Sequence, residues 1–219
     1  MPEGEGRALA QAYAAALREA LTSPDPSALL RLRGELQIVL RWFEVEQNGD
    51  ARRETDAALE AVSGFYRFGL EIGGFTTSTK AAETASFYDL ASVGVLAVEN
   101  VLTAERRSLM RFLMSGLSEG LMFLGSRQYV RGGEAVLQAA YRSHALAVQD
   151  ALWSLATDFR DPEDLGSIRE ARGAIDAVFA KLSEPTVAAS SRLDALLRLY
   201  ALVAVVRCAK VLERLRSLA

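Results

Sequence analysis

The sequence predicts an all-α protein, in which an antiparallel bundle of seven to nine helices surrounds a central apolar helix at about residues 104–124. Apolar residues recur at spacings of three and four along most of the chain, and no stretch alternates as a half-buried strand does. All five prolines lie where predicted helices begin or end. Half of the residues are apolar and no change in composition marks a boundary, so we expect one domain over residues 1–219.

The first half of the chain divides into four predicted helices. Pro24 and Pro26 separate the first helix from the second. Asn48 and Gly49 form a strong stop signal at the end of the second helix. Residues 75–80, which are rich in hydroxyl groups, follow the third helix and are predicted to form a loop. The predicted helix bounds are about 7–21, 27–47, 51–72 and 81–102.

The segment at about 104–124 is placed at the centre because it is apolar on most sides and not on one face alone. Gly116 and Gly120 lie one turn apart, and their small size would let another helix approach closely. Thr103 is predicted to cap this helix. A single bent helix through Thr103 is the alternative, because neither glycine nor proline occurs between residues 95 and 115.

Three further helices are predicted in the second half. A loop at residues 125–133 precedes the first of them. The sequence Asp161-Pro162-Glu163-Asp164 combines a capping residue, a proline for the first turn and acidic residues, which is a typical helix start. The last helix begins at Pro185 or Ser190. The predicted ranges are about 134–158, 161–182 and 185–217.

The charged residues carry a marked bias, because the 25 basic residues include only three lysines: Lys80, Lys181 and Lys210. Arginine binds carboxylates and phosphates through two parallel hydrogen bonds, so this bias reflects either a general compositional preference or an anion site. The net charge of −3 gives no global basic field. Cys208 is the only cysteine, which excludes an intrachain disulfide. We expect a cytoplasmic protein without a membrane span, because charged residues interrupt every apolar stretch.

Neither the histidine nor the carboxylates predict a catalytic or metal site. His144, the only histidine, shares an apolar helix face with Leu137 and Val148, which favours a structural role. Carboxylates one turn apart on the third helix have the spacing to share a divalent cation, but a helix start and pairing with nearby arginines explain them equally well. These carboxylates are Asp50, Glu54, Asp56 and Glu60. No catalytic residue, metal or cofactor is therefore predicted.

Two loops combine into a candidate anion site. If the helices alternate in direction, two helices separate the loops at 73–80 and 125–133, which places both loops at the same end of the bundle. Arginine, hydroxyl groups and a helix N-terminus together favour anion binding. The predicted site residues are Thr76, Thr77, Ser78, Thr79, Lys80, Arg127, Tyr129, Arg131, Gly132 and Gly133.

Three functions are compatible with these features. The first is a non-enzymatic helical interaction protein that forms homo-oligomers, because the apolar faces of three predicted helices, at about 81–102, 104–124 and 185–217, exceed what one core needs. The second is an auxiliary protein that binds nucleic acid or a phosphoanion through arginines. The third is a carboxylate–metal enzyme built on the third helix. Arginines considered for the second function are Arg106, Arg107, Arg127 and Arg131.

Overall fold

The computed structural model describes residues 3–22, 26–72, 98–122, 133–159 and 164–218, with side chains described except at 3, 98–100 and 119–122. Every regular element in these ranges is a helix, which confirms the all-α prediction for the described part of the chain. Seven helices have 17 to 30 residues and one has six. The helices are α1 (Glu3–Thr22), α2 (Pro26–Val45), α3 (Gly49–Glu71), α4 (Val98–Thr103), α5 (Arg106–Met122), α6 (Glu134–Thr157), α7 (Leu165–Leu182) and α8 (Ala189–Leu218).

Helix α8 is the element on which most of the other described helices pack. It contacts α1, α3, α4, α5 and α6. Six consecutive residues, 201–206, are all buried. Because six residues turn through more than a full circle of an α-helix, neighbours must cover this part of α8 from every direction.

Among the described residues, α8 therefore occupies the central place that the sequence analysis assigned to residues 104–124. That segment corresponds to α5, which packs against α4, α7 and α8. The prediction depended on apolar continuity, and charged residues interrupt the apolar run of α8. Three of these, Arg198, Arg207 and Lys210, have side chains only 10%, 11% and 12% exposed. Each forms an ion pair with an aspartate, so these charges are compatible with a helix at the centre.

Pairs of contacts define the directions of the helices around α8. Gly6 lies near Leu218, and the hydroxyl of Tyr13 donates a hydrogen bond to the carbonyl oxygen of Cys208 (2.8 Å), so α1 runs antiparallel to α8. Helix α3 is also antiparallel to α8, since Glu54 pairs with Arg214 and Gly64 lies against Tyr200. Helix α6 runs parallel to α8, because its first turns meet Arg192 and its last turn meets Arg207. The start of α3 and the ends of α6 and α8 therefore meet at one end of the molecule.

The boundary between α2 and α3 differs from the predicted stop. Gln47 has a positive φ of 54°, the conformation that ends α2. The side-chain oxygen of Asn48 accepts a hydrogen bond from the backbone N–H of Ala51 (3.1 Å), so Asn48 caps α3. Gly49 is the first residue of α3. The predicted stop signal thus acts mainly as a start signal.

The chain breaks between α4 and α5 at Ala104, a buried residue with φ of 55°. Thr103 is the last residue of α4, so it does not cap α5 as predicted. The backbone N–H of Leu109 bonds to the carbonyl of Glu105, which places the start of α5 after Ala104. Of the two alternatives in the sequence analysis, the structure contains the broken helix.

The predicted close approach at Gly116 is present. A methyl group added there would lie 2.7 and 2.9 Å from the two δ carbons of Leu202 on α8. The structure does not describe the surroundings of Gly120, so the approach predicted there stays a prediction. Among the described helices, none has the length and apolar content needed to cross a membrane.

Candidate functional site: a charged cleft at one end of the molecule

Two adjoining hollows, of about 200 and 440 Å³, open where α3 and α5 begin and where α6 and α8 end. Both hollows are lined by Glu54, Arg106, Asp158, Lys210 and Arg214. We call this the charged cleft. Glu213 and Ser217 complete the smaller hollow, and Asp50, Arg53, Ala57, Ser154 and Arg207 complete the larger one.

The cations of the cleft come mainly from α8. Arg207, Lys210 and Arg214 are spaced by three and four residues, so all three project from one face of the helix. Arg207 and Lys210 face neighbouring helices and are only 11% and 12% exposed, whereas Arg214, nearer the end of α8, is 39% exposed. The result is a group of cationic side chains held inside a concave surface.

Asp158 is shared by two of these cations. It forms the C-cap of α6, and its carboxylate accepts a hydrogen bond from Arg207 and lies 3.4 Å from the Nζ atom of Lys210. Arg207 also donates to the hydroxyl of Ser154 (3.1 Å). One carboxylate thus serves two cations here. Across both hollows five cationic side chains face four carboxylates, which leaves one positive charge in excess when all are ionised.

The second half of the cleft is closer to neutral. Arg214 binds Glu54 through two parallel hydrogen bonds, from Nε (3.3 Å) and Nη2 (3.1 Å). This bonding to Glu54 raises the pKa of the Arg214 guanidinium, opposed by burial, and so holds Arg214 in its charged form. At the rim, Arg53 donates a hydrogen bond to Asp50.

Lys210 and Glu213 lie one turn apart, and the cleft shifts their pKa values towards each other. Burial lowers the pKa of Lys210 and Arg207 adds to the decrease, while Asp158 and Glu54 oppose it. Burial also raises the pKa of Glu213, mainly against the opposing charges of Arg106 and Lys210. Both side chains are therefore held in environments that disfavour their charged forms.

The predicted anion site lies almost entirely outside the described residues. Of its ten residues only Gly133 is described, as the exposed N-terminal cap of α6. The predicted pocket therefore stays a prediction. The charged cleft was not predicted, although Arg106 was named among the candidate arginines. The spacing of Arg207, Lys210 and Arg214 could have indicated that these cations share one face of a helix.

The other candidate residues have structural partners. His144 Nε2 lies 3.1 Å from Glu71, and its ring packs on Phe68 with centroids 4.7 Å apart. Cys208 is fully buried, which raises the pKa of its thiol to about 12. Asp50 and Glu54 pair with arginines. In the described ranges no three histidine, cysteine or carboxylate side chains are grouped as a metal site would require.

Comparisons with protein-family models, with curated proteins and with solved structures give no match for this chain.

Proposed function

We propose that this chain is a helical binding protein that receives a small anionic ligand, such as one bearing phosphate, in the charged cleft. The observation that carries the proposal is the sharing of Asp158 between Arg207 and Lys210. An anion entering beside these side chains would accept hydrogen bonds from cations that now share one carboxylate, and it would offset the one excess positive charge of the cleft. In a recessed site such charge-assisted hydrogen bonds are stronger than on an exposed surface.

The cleft favours a small anion over a nucleic acid. Affinity for nucleic acid comes chiefly from phosphates neutralised along an extended row of cations. Here Arg207 and Lys210 are recessed. The cations also alternate with carboxylates, including Asp50, Glu54 and Glu213, which would repel a continuous phosphate backbone. The smaller hollow, of about 200 Å³, has room for one ionised group and a few waters.

Thermal melts in phosphate and in chloride at matched ionic strength test this proposal. A ligand that binds only the folded state stabilises it by about 2.7 kcal/mol at a hundredfold excess over its dissociation constant. We expect a phosphate-specific rise in melting temperature that Arg207→Gln removes, because Asp158 then pairs with Lys210 alone. Arg31→Gln, which disrupts an exposed ion pair with Glu19 on α1, is the control and should retain the rise.

Two results would contradict the proposal. One is an equal rise in the wild type and in Arg207→Gln, which would indicate a general effect of the salt. The other is tight, strongly salt-dependent binding of RNA or DNA without a response to phosphate, which would favour a nucleic-acid function.

A second candidate function, self-association, is favoured by an exposed apolar stripe on α2. Leu30, Ile38 and Val45 are 44%, 53% and 78% exposed and lie opposite the face that packs into the core. A methyl group added at Gly34, between them, would meet no atom within 4 Å. Contiguous exposed apolar surface is typical of protein interfaces, and these three side chains lie about two turns apart along one face of α2. The sequence analysis predicted an oligomer from wide apolar helix faces. Those of α5 and α8 pack within the chain, so they support self-association less than the exposed residues of α2 do.

Sedimentation at micromolar concentration tests self-association. We expect a dimer or larger species that Ile38→Glu converts to a 23.8 kDa monomer. Gln11→Glu adds the same charge at an exposed position of α1 and should leave the assembly intact. A wild type that sediments only as a monomer would rule this candidate out.

A further inference from the structure

Lys210 is the one cation of the charged cleft that has an accessible neutral form. An arginine stays protonated at any ordinary pH, whereas an amine becomes a nucleophile when it loses its proton. The chain has only three lysines, yet it places one between Arg207 and Arg214 on the cationic face of α8. Lys181, the other lysine in the described ranges, is 49% exposed and pairs with Glu184.

The surroundings of Lys210 restrict the hydration of its ammonium group. The side chain is 12% exposed and lines both hollows, with the ring of Phe159 5.5 Å from Nζ. The charged groups that act on it come from three directions: Asp158 at the end of α6, Glu54 on α3, and Arg207 and Glu213 on α8. The nearest carboxylate, that of Asp158, is already bound to Arg207.

We propose that Lys210 is a nucleophilic amine that forms a reversible imine with a small aldehyde or ketone carrying an anionic group. This inference rests on the proposed function, because an anion is still attracted when Lys210 is neutral and Glu213 is protonated: four arginines then face three carboxylates in the cleft. The carbonyl carbon would then lie within reach of Nζ, and the cavity has the size of such a ligand. Lowering of the pKa of Lys210 by burial supports the same conclusion.

The chemistry requires no external oxidant or reductant. The neutral amine adds its electron pair to the carbonyl carbon, and the carbonyl oxygen takes up a proton to give a carbinolamine. The carbon–oxygen bond then breaks, the oxygen leaves as water with a proton from the nitrogen, and a carbon–nitrogen double bond forms. Hydrolysis reverses these steps and restores both the lysine and the ligand.

Glu213 is placed to transfer the protons of this reaction. It lies one turn from Lys210 and lines the same hollow. A carboxyl group whose pKa is raised by burial holds a proton closer to neutral pH, so it can protonate the departing hydroxyl group and recover a proton during hydrolysis.

Reductive trapping with two small aldehydes tests the inference on the intact protein. Glyoxylate carries a carboxylate and acetaldehyde is its neutral counterpart of similar size. Cyanoborohydride reduces each imine to a stable secondary amine, and peptide mass spectrometry gives the yields at Lys210 and Lys181. The ratio of the two yields cancels the different intrinsic reactivities of the aldehydes. Lys210→Arg keeps the positive charge and removes the nucleophile.

We expect glyoxylate to modify Lys210 about tenfold more than Lys181, because the cleft would hold its carboxylate beside the amine and burial lowers the pKa of Lys210. Phosphate should protect Lys210, and Glu213→Gln should slow trapping and change its pH profile. A Lys210-to-Lys181 yield ratio below one for both aldehydes would overturn the inference. It would leave the proposed function open, because the phosphate melts test that function separately. An equal, high ratio for both aldehydes, unaffected by phosphate, would support the nucleophile but reject an anionic ligand and with it the proposed function.

Discussion

The phenol of Tyr200 occupies the space that any side chain at residue 64 would need. A methyl group added to Gly64 would lie 1.8 Å from the hydroxyl oxygen of Tyr200 and 2.6 Å from its Cζ atom. Gly64 is in the interior of α3, where glycine costs helix stability of about 1 kcal/mol relative to alanine. The glycine thus allows α3 and α8 to pack closely around the tyrosine.

Gly64→Ala should therefore lower the free energy of unfolding by about 1–3 kcal/mol, because overpacking outweighs the gain in helix propensity. Urea denaturation measures this change. Gly173→Ala is the matched control, since Gly173 is in the interior of α7 with no atom within 4 Å of an added methyl group. It should raise the stability by up to about 1 kcal/mol. Equal effects of the two substitutions would contradict the close contact.

Gln47→Gly should stabilise the protein by about 1 kcal/mol. Gln47 is exposed and has a positive φ, a conformation that costs a residue with a side chain roughly 1–2 kcal/mol but costs glycine little. Gln37→Gly, at an exposed position in the interior of α2, should have the opposite sign. Chemical denaturation of both variants checks the prediction, and destabilisation by Gln47→Gly would show that the backbone there is not left-handed.

Replacing Glu213 should change how stability depends on pH. Burial raises the pKa of Glu213, so the folded state binds its proton more tightly than the unfolded state does. The free energy of unfolding should consequently fall as pH rises from the ordinary pKa of glutamate through the raised one. Glu213→Gln removes this contribution, so the stability of the variant relative to the wild type should increase as pH rises from the ordinary pKa of glutamate through the raised one. Parallel pH profiles for the two proteins would contradict the shift.

Tyr13→Phe should lower the free energy of unfolding by about 1 kcal/mol, because the buried carbonyl of Cys208 loses a hydrogen-bond donor. Cys208 provides a second readout. Its thiol is buried and its raised pKa, about 12, leaves almost no thiolate in the folded state. If labelling requires unfolding, a thiol reagent should label the variant about fivefold faster than the wild type. An unchanged labelling rate together with unchanged stability would count against this hydrogen bond.

Most helices were predictable from the sequence because each carries an apolar face that recurs every three or four residues. The break at Ala104 was harder to predict, since alanine is a strong helix former and neither glycine nor proline marks the site. The central role of α8 was hidden by the charged residues in its apolar run, two of which, Arg207 and Lys210, have their partner at the end of another helix. Asp158, for example, is 49 residues from Arg207 in sequence.

The charged cleft could not be assembled from the sequence for a similar reason. Glu54 and Arg214 are 160 residues apart, and only the antiparallel packing of α3 on α8 brings them together. Sequence spacing identifies groups on one helix, such as Arg207 and Lys210, but it does not identify the carboxylates that face them. That Asp158 pairs with both Arg207 and Lys210 is therefore visible only once α6 and α8 are packed together.

The position of α8 in the chain also has a consequence for biosynthesis. Helices α1 to α6 leave the ribosome before the helix on which most of them pack has been made. At about 5–20 residues per second, roughly 10–40 seconds separate the synthesis of Tyr13 from that of Cys208, the two ends of a contact that spans 195 residues. During this interval the apolar faces of the early helices have no α8 to cover them. We therefore expect nascent chains that end before α8 to bind chaperones that recognise apolar segments.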